Sequence, residues 1–126
     1  MRREAVIYMT VLALAVVNAT PAWSDDATAR GETIYKQCAA CHSLKADVTL
    51  VGPSLHDLFG RKAASIDSFT YSDAFYGADF VWDDDHLTTF VTNPRAMIPG
   101  TKMQTVGIKD PAQIADLIAY LKEATH

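Results

Sequence analysis

Two thiols and an imidazole stand within five residues at Cys38-Ala39-Ala40-Cys41-His42. Cysteines two residues apart near a helix end can reach the two vinyl groups on one edge of a porphyrin. The residue that follows then sets an imidazole below the iron. This C-x-x-C-H spacing is the one used for covalent haem attachment. Three other uses of the same residues stay open. A disulfide across two intervening residues is tight. A redox dithiol calls for a thioredoxin-like βαβ pattern, which the sequence lacks. A zinc site takes four ligands, and no second cysteine pair exists to complete one.

An iron held from one side by His42 takes a sixth ligand from elsewhere. Beyond residue 24 the methionines are Met97 and Met103, and the other histidines are His56, His86 and His126. Met103 closes Ile98-Pro99-Gly100-Thr101-Lys102-Met103, where proline and glycine stiffen and turn the chain so that a thioether can be held against a flat cofactor. Met97 reads as apolar packing, His86 as a capping or solvated helix residue, His56 as a loop residue and His126 as a terminal one. A soft thioether favours ferrous iron, a property of His/Met-ligated haem proteins as a group, and two strong ligands leave no open position for oxygen or peroxide.

These groups need a frame. The chain has 126 residues, enough for one domain. With 49% hydrophobic and 21% charged residues it is neither disordered nor of low complexity. A formal charge of −4 argues against bulk binding to nucleic acid or anionic lipid. Residues 1–24 read as a cleaved signal peptide: a basic Met1-Arg2-Arg3, an apolar run from Ala5 to Val17, and small Ala22 and Ser24 before Asp25. The competing reading is an uncleaved anchor, but the run is about 13 residues against the ~18–20 needed to span a bilayer. The domain is therefore expected over residues 25–126, in an oxidising compartment such as the bacterial periplasm.

Asp25 to Thr28 offers caps for a helix to about Ala39, with Ile34 and Tyr35 inward. Gly31 inside it is costly unless another helix crosses close by. Residues 43–54 read as loop, Leu55 to Phe59 as a helical turn stopped by Gly60, residues 61–71 as irregular, and Ser72 to Gly77 as a short helix. Asp83, Asp84 and Asp85 precede an apolar run that Asn93-Pro94 should end. Asp110, Pro111 and the i, i+3, i+4, i+7 series of Ile114, Leu117, Ile118 and Leu121 mark the clearest helix. No alternating run is bounded by hairpin turns. The expectation is an all-α domain whose long loops a cofactor would fill.

Taken in order, these stretches resemble a class I c-type cytochrome, near the mitochondrial and soluble α-proteobacterial branch. The matching residues are Gly31-Glu32, the C-x-x-C-H, Gly52 to Lys62, Phe69 to Ala74, Trp82, Asn93-Pro94, Ile98 to Met103, Gly107-Ile108-Lys109 and Asp116 to Lys122. The resemblance implies a few short helices, with crossed N- and C-terminal helices, wrapped around one haem c per chain. It implies attachment through Cys38 and Cys41, with His42 and Met103 as the iron ligands. By the same resemblance the Pro53 carbonyl accepts from the His42 ring, and Arg61, Tyr71 and Trp82 surround the haem propionates. Gly31, Tyr35, Leu117 and Tyr120 would form the helix crossing. Three departures stand out. Phe90 sits where a tyrosine commonly faces the methionine, which removes a hydrogen bond to sulfur. The loop from His42 to Gly52 is one residue shorter than in the mitochondrial form. Without residues 1–24 the charge is −5, whereas mitochondrial relatives are strongly basic.

The function so implied is a soluble periplasmic electron carrier, monomeric and not an enzyme. It would move one electron between respiratory or photosynthetic complexes, or from a dehydrogenase to an oxidase. Its partners would be a quinol:cytochrome c reductase, an oxidase, a dehydrogenase or a reaction centre, met transiently and in a salt-sensitive way, with no nucleic acid. Lys36, Arg95, Lys102 and Lys109 flank the motifs at the cofactor edge while the Asp83 to Asp85 run lies elsewhere, so a small positive rim and an acidic back are expected. Two alternatives remain. A haem peroxidase or ligand-binding haem protein requires an open iron, and no distal acid–base residue is evident. A dedicated electron-accepting subunit of one dehydrogenase would expose a larger apolar patch.

Overall fold

The computed structural model describes residues 11–18 and 23–126. Residues 11–18 are exposed and form no regular element; of the leader read at residues 1–24, residues 1–10 and 19–22 lie outside the described residues and Trp23 and Ser24 belong to the first helix. No helix among the described residues is long and apolar enough to cross a membrane.

Five helices follow in chain order among these residues: α1 (Trp23–Ala39), α2 (Asp73–Tyr76), α3 (Asp84–Thr92), α4 (Pro94–Met97) and α5 (Pro111–Ala124). The domain is all-α, as expected. The first helix begins at Trp23, two residues before the expected Asp25. The frame is the crossing of α1 with α5, and it exists because Gly31 has no side chain. A methyl group there would overlap the Asp116 carbonyl and come within 2.7 Å of the Tyr120 Cβ. Around this contact the Tyr35 and Tyr120 rings pack at 5.3 Å, and Leu117 and Leu121 are buried. Arg30 reaches across with Nε 2.7 Å and Nη2 3.0 Å from the two Asp116 oxygens.

Caps explain where the helices start. The Asp83 carboxylate accepts from the His86 amide at 2.8 Å to open α3, and Asp110 accepts from Ala112 at 2.9 Å to open α5. Asn93 ends α3 as expected, but its side chain also accepts from the Ala96 amide at 3.2 Å, and Pro94 at the first position starts α4. The sequence reading had only the stop, because Asn-Pro serves equally as a start.

The expected helical turn from Leu55 to Phe59 is not formed. Arg61 Nη1 instead takes the carbonyls of Ser54, just before the segment (2.9 Å), and of His56 within it (2.8 Å), while the Asp57 amide goes to the Thr125 carbonyl. Asp57 itself sits at φ +50°, which no helix continues. An isolated antiparallel bridge, Lys62 to Val81, joins the segments carrying Arg61 and Trp82. Beside it lies an aromatic core in which Phe90 packs edge-on against Phe75 and Trp82, each at 5.4 Å between ring centres.

Candidate functional site

The C-x-x-C-H segment forms the end of α1 and the turn after it. The amides of Cys41 (3.0 Å) and His42 (2.9 Å) both bond to the Cys38 carbonyl, which keeps both thiols and the imidazole on one tight turn. The Tyr35 hydroxyl donates to the His42 carbonyl at 3.0 Å and fixes that turn to the helix. Sequence reasoning assigned Tyr35 only to packing; no spacing signals this bond. Both cysteines are free thiols, and burial, followed by the neighbouring Cys41, pushes the Cys38 thiol up.

His42 Nδ1 lies 2.7 Å from the Pro53 carbonyl, so the neutral ring carries its proton on Nδ1 and donates it there. Burial lowers the imidazole pKa, the Pro53 bond opposes that, and nearby Arg61 lowers it further. The outcome is a neutral ring whose Nε2 lone pair is available, the state a metal ligand requires. The Gly52 amide donates to the Cys41 carbonyl at 2.8 Å and closes the following loop back onto the motif.

Arg61, Tyr71 and Trp82 come together at one end of the core. The Trp82 amide donates to the Arg61 carbonyl at 2.9 Å. Tyr71 and Trp82 are buried, and both rings pack on Phe75. The Tyr71 hydroxyl accepts from the Ile66 amide at 3.3 Å, which leaves its own proton to be given. Arg61 Nε is buried with no hydrogen-bond partner. A charged N–H in that condition calls for an anionic acceptor. Ser54 extends this network, its Oγ donating to the Lys45 carbonyl at 2.6 Å.

Met103 is half-buried against the same core, two residues beyond a turn at Ile98-Pro99-Gly100-Thr101. The turn closes with the Thr101 amide on the Ile98 carbonyl at 3.0 Å. Gly100 at φ +85° supplies the positive angle that a type II turn with proline at its second position requires. The buried Thr101 accepts from the Met103 amide at 3.3 Å, and Lys102 Nζ donates to the Thr70 carbonyl at 2.8 Å. Downstream, the Ile108 amide returns to the Val91 carbonyl at 2.8 Å, so the Met103 loop is anchored at both ends.

The other ligand candidates are engaged elsewhere. His86 Nδ1 is 2.8 Å from Asp83 and its ring stacks on Phe80 at 4.6 Å. His56 Nε2 is 3.3 Å from Asp57, His126 is exposed, and Met97 lies in α4. Among the described residues no three His, Cys, Asp or Glu side chains gather as a metal cluster.

The residues fit a haem. An uncompensated guanidinium N–H and a hydroxyl proton are present for propionates, a neutral imidazole is held by its far nitrogen, and two free thiols sit one turn away.

A protein-family model described as "Cytochrome c" matches residues 28–125. The chain is 42% identical over 122 residues to "Cytochrome c2" of Blastochloris viridis, covering 96% of this chain and 93% of that protein. It is 43% identical over 88 residues to "Cytochrome c2 iso-2" of Magnetospirillum fulvum, covering 70% and 92%. With "Cytochrome c" of Arabidopsis thaliana it shares 44% identity over 98 residues, covering 76% and 88%.

Proposed function

The chain belongs to the cytochrome c family, and from that premise we propose that it is a monohaem electron carrier, not an enzyme, acting in the periplasm after removal of residues 1–24. Cys38 and Cys41 would hold the haem covalently, with His42 and Met103 as the residues that would ligate its iron. Bound there, the haem supplies a reversible one-electron couple. Around it the chain's residues fix orientation and charge. Pro53 holds the His42 proton at Nδ1, Arg61 and Tyr71 bring donors to the propionates, and the Met103 loop presents a thioether from a segment tied down at both ends.

The observation that carries this reading is the buried, unpartnered Arg61 Nε beside Trp82 and Tyr71, because a small protein does not leave a charged donor unsatisfied without a ligand to receive it. Support for transient partners comes from the cations. Among the described residues Arg30, Lys62 and Lys122 lie within ion-pair distance of aspartates, whereas Lys36, Arg95, Lys102 and Lys109, which flank the cofactor motifs, form no ion pair. Charges not neutralised by a carboxylate in this way steer acidic partners and lose their reach in salt.

The test is the optical spectrum of the ferric protein from a haem-attaching host. A weak long-wavelength band from methionine sulfur to ferric iron is expected, and it should vanish in Met103→Ala while surviving in Met97→Ala. A high-spin spectrum without the band would instead direct attention to peroxide and small-ligand binding.

A further inference from the structure

Gly52 lies against the imidazole of His42. A methyl group built on it would stand 2.9 Å from Nδ1, 3.1 Å from Nε2 and closer still to the Cε1 corner between them. Conformation does not explain this glycine: the positive-φ glycines are Gly60, Gly100 and Gly107, and Gly52 is not among them. Space does. Neither side of the contact can yield cheaply. The ring is pinned at Nδ1 by the Pro53 carbonyl at 2.7 Å. The Gly52 backbone is pinned by its amide on the Cys41 carbonyl at 2.8 Å and by the Leu50 amide on its own carbonyl at 3.1 Å.

We propose that Gly52 is a positioning residue that sets the tilt and rotation of the His42 imidazole, and through them the direction of its Nε2 lone pair. Pressure on Cε1 falls between the held nitrogen and the coordinating one. A side chain at position 52 therefore turns the ring about the Pro53 bond and swings Nε2 off its line. This inference rests on His42 being the haem ligand.

The experiment compares holoprotein of Gly52→Ala with wild type and with Gly77→Ala, where an added methyl meets nothing closer than 3.6 Å. In the ferric proton spectrum the order and spread of the haem-methyl resonances report the orientation of the axial imidazole plane. Gly52→Ala is expected to change that pattern and Gly77→Ala to keep it. A wild-type pattern in low-spin Gly52→Ala overturns the role of Gly52. If Gly52→Ala does not accumulate, the ferrous wild-type protein decides: strong cross-relaxation between the Gly52 α-protons and the His42 ring protons is expected, and its absence overturns the inference. The ring-current-shifted His42 resonances of the wild type test the ligand reading separately. If they are missing, His42 is not on the iron and the inference falls with that reading.

Discussion

The Trp82 amide donates to the Arg61 carbonyl at 2.9 Å, which ties the residue carrying the unpartnered guanidinium nitrogen to the edge of the aromatic core. The Gly60 amide on the Trp82 carbonyl at 2.8 Å and the Ala63 amide on that of Phe80 at 2.9 Å reinforce the tie. With its backbone held, Arg61 can spend its side chain on the Ser54 and His56 carbonyls and still present Nε. Arg61→Ala should therefore lower holoprotein stability by about 2–4 kcal/mol in denaturant titrations, since two part-buried carbonyls lose a charged donor. The midpoint potential should fall by about 30–60 mV, ~1 kcal/mol for one electron, because a positive charge near the cofactor favours the reduced state. An unchanged potential would mean that Arg61 does not face the cofactor.

Gly31→Ala should damage the frame rather than the redox chemistry. The obstacle is the Asp116 carbonyl, and a helix backbone cannot move aside as a side-chain tip can. A loss at the upper end of the overpacking range, about 3 kcal/mol, is expected by thermal or denaturant unfolding. Wild-type stability in this variant would show that α1 and α5 cross with room to spare.

The Arg30–Asp116 pair gives the crossing a pH dependence. The hydrogen bond from Arg30, and secondarily its charge, hold the Asp116 carboxyl below the usual carboxylate range. A carboxylate depressed in the folded state contributes stability above its unfolded pKa and loses it as pH falls through the folded value. Asp116→Asn should thus melt lower than wild type at neutral pH, with the gap closing on acidification below about pH 4. The gap should be modest, because the Arg30 side of the pair is open to solvent, and should shrink with salt. A gap that widens in acid would assign the effect to another group.

Removing the attachment chemistry should remove the fold. The core residues are few, and long irregular segments such as 43–71 and 98–110 pack between the helices with little regular hydrogen bonding of their own. Cys38→Ala with Cys41→Ala is expected to give an unfolded or degraded chain, seen as loss of far-ultraviolet helical signal. A stable helical apo-form would contradict this.

What sequence revealed follows the range of the interactions involved. The periodicity of α5, the Asp110 and Asp83 caps and the C-x-x-C-H turn are local, and spacing alone exposes them. Helix α4 escaped because Asn93-Pro94 marks both an end and a beginning. The Leu55 to Phe59 segment was misread because its His56 carbonyl is taken by Arg61 and its Asp57 amide by Thr125, groups that a local pattern cannot include. Arg61, Tyr71 and Trp82 were marked by resemblance, but their meeting point rests on a bridge between segments with no strand alternation. The Tyr35 bond to His42 and the clearance at Gly52 depend on directions that no one-dimensional pattern carries.

The helix crossing also joins segments far apart in the chain. Arg30 meets Asp116 and Thr28 meets Glu123, pairs separated by 86 and 95 residues. Closing so long a loop costs conformational entropy, and the packing of α1 against α5 offsets it only once α5 arrives. Until then α1 has no partner for the face carrying Gly31 and Tyr35, and the cysteines beyond it sit on a chain that is still open. A ring carried on Cys38 and Cys41, as proposed, would therefore meet least obstruction before the last helix docks, and that docking would enclose it.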